Sequence, residues 1–176
     1  MAWTEALRYK NRIMTDTLPP RPSLPARVIG GAATGMAALG GTALVGAVAV
    51  TLASVIGRAA FNAPVLGDYE LVERLVGVAV FLFLPYGHWA GGHVTVDLLT
   101  RRLPDRFRGA LARGVEGLFA IVAAVLAWRM ASGGVDMLRY NDSSMMLGLP
   151  TWWAFALIVP ALALLSAVCL ARAVKP

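Results

Sequence analysis

From residue 28 to residue 57 the chain carries no Asp, Glu, Lys or Arg. A helix crosses the hydrocarbon of a bilayer with about 20 apolar residues. An uncharged stretch this long therefore either spans a membrane or is buried on every side. Composition decides between the two: 58% of the 176 residues are hydrophobic and 15% are charged. Soluble domains run at roughly 45–50% apolar and roughly 25% charged. The chain is read as an all-α integral membrane protein.

Three further apolar runs follow, and the expected spans cover 28–56, 71–96, 115–138 and 151–170. Together 28–171 form one four-helix membrane domain. Residues 1–27 precede it as a proline-rich tail and 172–176 follow as a short one. Gly31 and Gly35 in the first span, and Gly87 and Gly91 in the second, are small-xxx-small pairs that admit a second helix at close range. That helix belongs either to a partner protein or to the bundle itself.

Orientation follows from the basic residues. Arg8, Lys10, Arg12, Arg21 and Arg27 lie in the first tail, and Arg101, Arg102, Arg106, Arg108 and Arg113 between spans two and three. Arg172 and Lys175 close the chain, whereas the other two links each hold a single Arg, Arg58 and Arg139. Both termini and the central link are thus expected in the cytoplasm, with Tyr140, Trp152 and Trp153 in an outer aromatic belt. Pro104 and Asp105 suit the first turn of a helix. Leu103, Phe107, Ala110 and Leu111 share one face of it. A short amphipathic helix on the cytoplasmic surface, in contact with membrane lipids, is expected there. The net charge of +6 is absorbed by these topology signals, so no nucleic-acid partner is expected.

Ionisable groups inside spans cost roughly 2.5–3.5 kcal/mol on insertion scales and default to functional candidates. Arg129 is the clearest, with Glu70, Glu73 and Asp136 as available anions; an interhelical pair of Arg129 with Glu73 is expected. His88 and His93 lie on one helix and do not suit a haem, whose ligands come from facing helices. His93 and Asp97, at i and i+4, are a weak metal pair and a better helix-end hydrogen bond. The sequence presents no nucleophile–base set and no phosphate-binding glycine loop, so an enzyme is not expected, nor a cofactor or metal. Cys169, the single cysteine, lies in an apolar run and forms no intrachain disulfide.

Three stretches carry a resemblance. Arg58, Phe61, Asn62, Pro64, Gly67 and Glu70 close the first span; His93-Val94-Thr95-Val96-Asp97-Leu98-Leu99 and Leu103-Pro104 follow the second; Leu147-Gly148-Leu149-Pro150-Thr151-Trp152-Trp153 enters the fourth. In this order the chain resembles the small membrane subunit, the DctQ-like small permease, of tripartite ATP-independent periplasmic (TRAP) transporters. Ala59-Ala60 and Asn141-Asp142-Ser143-Ser144 depart from that pattern.

The resemblance implies a bacterial inner-membrane, multi-pass subunit with two partners, a large membrane subunit and a periplasmic substrate-binding protein. The binding protein delivers an organic acid, and the large subunit moves it in elevator fashion, driven by an ion gradient, usually Na⁺. The small subunit then acts as a scaffold, and the coupling ion belongs to the large subunit. The alternatives are an accessory or assembly membrane protein without a part in transport, and a self-sufficient small transporter.

Overall fold

Where each helix stops is decided by one or two residues, and the stops determine the architecture. The computed structural model describes residues 24–91 and 105–174. Over these residues it holds four helices long and apolar enough to cross a membrane. They are α1 (Leu24–Phe61), α2 (Asp68–Trp89), α3 (Asp105–Arg139) and α4 (Trp152–Val174).

Helix α1 ends where Asn62 turns left-handed, at φ 52°, a conformation that Asn tolerates better than most residues. The Ala63 N–H then donates to the Gly57 carbonyl at 3.1 Å, and Pro64 stops any resumption. Helix α2 begins at Gly67, also left-handed at φ 73°. It ends at Trp89, short of the expected 96. The apolar pattern runs on past this point, but Gly91 adopts φ 87°, and a left-handed glycine ends a helix whatever the hydropathy beyond it. Helix α3 ends in a Schellman motif around Asn141 (φ 51°): Asp142 N–H donates to Met137 O at 3.0 Å and Asn141 N–H to Leu138 O at 3.3 Å.

Helix α3 starts ten residues before the expected 115, so the described part of the segment expected as a separate amphipathic helix, from Asp105 on, is its first turns. No proline interrupts 105–139, and scattered glycines do not break a helix whose neighbours favour it. At about 1.5 Å per residue the helix is roughly 50 Å long, well beyond the ~30 Å hydrocarbon core.

The helices pack in the spatial order α1, α2, α4, α3. All of α1's main packing is on α2 and all of α3's is on α4, while α2 and α4 meet at the centre. The buried core lies at that centre: Val78 and Leu82 of α2 against Ile158, Ala161 and Leu162 of α4. Close approach is achieved at Gly40, where a Cβ would lie 3.2 Å from Ala79 O, and at Gly134, where it would lie 2.8 Å from Phe155 Cβ. Helices α2 and α3 instead leave an apolar cleft of about 310 Å³ between them, lined by Phe83, Leu84, Gly87, His88 and Phe119 among others.

This order removes the expected pair of Arg129 with Glu73. Helix α4 stands between their two helices, and among the described residues neither side chain forms an ion pair. At Gly31, Gly35, Gly87 and Gly91 no described helix approaches closely, because a Cβ at each would meet nothing within 4 Å.

Candidate functional site

Two polar clusters tie the helices together, one at each end of the bundle. The first joins the α1–α2 turn to the α3–α4 loop. Ser54 of α1 donates its hydroxyl to the Asp68 carboxylate, which also accepts the Tyr69 N–H at 2.8 Å. Two residues on, the Glu70 carboxylate accepts the Met146 N–H at 3.2 and 3.3 Å. One turn further on, Arg74 donates to Leu149 O at 3.2 Å and to Thr151 Oγ1 at 3.5 Å. Thus Glu70 and Arg74, four residues apart on one face of α2, hold the loop by one acceptor and one donor.

The loop is shaped to receive them. Ser144 N–H donates to Leu149 O at 2.9 Å and Thr151 N–H to Asp142 O at 3.0 Å, closing a tight hairpin-like turn. Its Leu147 side chain lies against Gly67, where a Cβ would sit 2.5 Å from Leu147 Cγ. Between this loop, α2 and α4 lies an open cleft of about 480 Å³, with Glu70, Glu73, Arg74, Asp142 and Thr151 in its wall. Met145 and Met146 stand exposed above it.

The second cluster joins α2, α3 and α4 at the opposite end. His88, buried at 5% exposure, has its Nε2 2.7 Å from Glu116 Oε2 of α3 and 3.4 Å from Cys169 Sγ of α4. Arg172 of α4 lies 3.9 Å from the other Glu116 oxygen and donates to the Trp89 carbonyl at 2.9 Å. That last bond satisfies one of the orphan carbonyls at the end of α2. The nitrogen, oxygen and sulfur of His88, Glu116 and Cys169 fall within 4.8 Å of one another, the chemistry of a metal-ligand set. Here the His nitrogen is already within bonding distance of both other atoms, and the Arg172 guanidinium beside the carboxylate opposes a further cation. The arrangement is a hydrogen-bonded clamp on three helices.

The residues singled out from sequence fall unevenly on this framework. Asn62, Pro64, Gly67 and Glu70 build the first cluster or the turn feeding it, and Pro150 bridges to Ser143 across the loop. Trp153 packs on the core. Arg58, Phe61 and Trp152 are exposed. His93, Asp97 and Pro104 lie outside the described residues. Sequence reasoning overlooks Arg74 and Glu116, reads Cys169 only as a lone cysteine in an apolar run, and gives His88 no role. Two signals were there: Glu70 and Arg74 at i and i+4 on one helical face, and Glu116 as a carboxylate just inside an apolar run.

A family model described as Tripartite ATP-independent periplasmic transporters, DctQ component, matches residues 47–176. The chain belongs to this family. No curated protein and no solved structure matches it. Both polar clusters fall inside the matched region, from Ser54 in the first to Arg172 in the second. Membership makes the chain a small component of a TRAP transporter, and its four apolar helices make it a membrane protein. Two of the three stretches of this DctQ component meet in space, through Gly67 on Leu147, with Glu70 on Met146 beside it.

Proposed function

We propose that the chain is a rigid small permease subunit that holds the large membrane subunit of a TRAP transporter in place during ion-driven uptake of an organic acid. The observation that carries this is the pair of clusters. Helices α1 and α2 and the α3–α4 loop are tied at one end, and α2, α3 and α4 are clamped at the other. A part tied at both ends resists sliding of its helices, which is what a static partner of an elevator needs. The basic residues assign the end carrying His88, Arg113 and Arg172 to the cytoplasm of a bacterial inner membrane. The loop end, with Tyr140 and Trp152, then faces the periplasm, where the substrate-binding protein docks. The coupling ion, Na⁺, and the substrate are handled by the large subunit.

The open glycines support the same role. Gly31, Gly35, Gly87 and Gly91 are approached closely by no described helix, so they are available to a helix of the large subunit. The test is reconstitution of the large subunit in liposomes with the binding protein, with and without this chain, under a Na⁺ gradient. Uptake that requires this chain is expected. Undiminished uptake without it would favour an accessory protein, and uptake by this chain alone a self-sufficient transporter.

A further inference from the structure

Arg129 is exposed and has no ion-pair partner among the described residues. It lies ten residues before Arg139, the last residue of α3, which at 1.5 Å per residue is about 15 Å along the axis. That is about half of the ~30 Å hydrocarbon thickness. Snorkelling to the near surface is opposed by geometry, since side chains on an α-helix lean toward its N-terminus. The N-terminus of α3 is at the far end of the bundle.

Its surroundings on the helix have a pattern. Leu118, Val122, Val125, Arg129, Ser132 and Asp136 recur at steps of four and three, the spacing of a coiled-coil seam. The three apolar members are 62%, 48% and 52% exposed, and Asp136 is exposed as well. Helix α4 is met by another face, through Ala120, Ala123, Ala127, Met130 and Gly134. At 100° per residue the two faces are about 160° apart. The seam is apolar for three positions and then polar for three.

We propose that this seam receives a transmembrane helix of the large subunit, and that this helix presents a carboxylate at the depth of Arg129. The inference rests on the scaffold role above and names its contact. Charge complementarity selects the occupant: a cation buried at mid-membrane requires an anion fixed at the same depth. A lipid offers its phosphate only at the surface, and a second copy of this chain repeats the same cation. A polar residue within an apolar seam also fixes register, so the Arg129 pair would set how far the two subunits are shifted along the membrane normal.

The experiment uses the co-expressed complex with benzoylphenylalanine at Val122 or Val125 and Arg129 intact. Irradiation is expected to join this chain to the large subunit from both positions. In parallel, Arg129→Ala is expected to weaken co-purification by about tenfold, the scale of one interhelical polar contact in lipid, and Arg129→Lys to retain part of it. Adducts with lipid only, or with a second copy of this chain, overturn the proposal. So does a complex that co-purifies and transports normally without adducts, which would leave the scaffold role standing on another face. Absence of any complex would overturn both.

Discussion

His88 on α2 and Glu116 on α3 share a 2.7 Å hydrogen bond although their two helices otherwise stand apart with α4 between them. The bond closes one end of a gap that apolar packing leaves open. Removing either partner exposes the other to an environment that replaces its hydrogen bond poorly. Glu116→Ala and His88→Ala are each expected to destabilise the subunit by about 1–3 kcal/mol. The double variant should lose less than the sum, with a coupling of about 0.5–3 kcal/mol. Thermal unfolding of the purified subunit in detergent measures all three; strict additivity would deny that the bond contributes.

Cys169 is fully buried with its sulfur against His88. In native membranes the thiol is expected to resist a maleimide, and to label fully after denaturation in SDS. His88→Ala should open access to it. Fast labelling of the unaltered protein would show that the clamp does not persist in the membrane.

Gly67 faces two constraints at once, a left-handed backbone and the side chain of Leu147. Gly67→Ala is expected to destabilise by about 1–3 kcal/mol from backbone strain, with the contact at Leu147 adding to it. Leu147→Ala in the same chain should recover the contact part and leave the strain. Gly31→Ala, at a position with open space around it, should stay within about 0.5 kcal/mol. Equal effects at Gly67 and Gly31 would contradict the described turn.

Glu70 holds the α3–α4 loop through the Met146 amide. Glu70→Ala is expected to cost about 1 kcal/mol locally and so to speed hydrogen exchange at Met146 by about fivefold. Exchange in the second cluster, at residues around Cys169, should not change. Arg74→Ala should act on the same loop through Leu149 and Thr151. Unaltered exchange in both variants would mean that the loop is held by other contacts.

Much of the architecture was legible in the sequence because its causes are local. Four spans follow from runs of apolar residues, since crossing a bilayer depends on length and hydrophobicity summed along one segment. The turn after α1 was visible in Asn62, Pro64 and Gly67, whose backbone preferences act at the residue itself. The end of α2 was misplaced because Gly91 governs it, while the hydropathy around it still reads as span.

Pairings between helices were not legible. Nothing along the chain says that α4 rather than α3 packs on α2, because lipid-facing and helix-facing surfaces are equally apolar and carry no alternation to tell them apart. The pair of Arg129 with Glu73 failed for that reason. His88, Glu116 and Cys169, separated by 28 and 81 residues from the histidine, each looked unremarkable alone; only the packing of three helices brought their polar atoms together. The sequence by itself determined the number of spans and the turn after α1. The tertiary structure decided which helices are neighbours, and through that which polar groups find partners and which, like Arg129, are left facing outward.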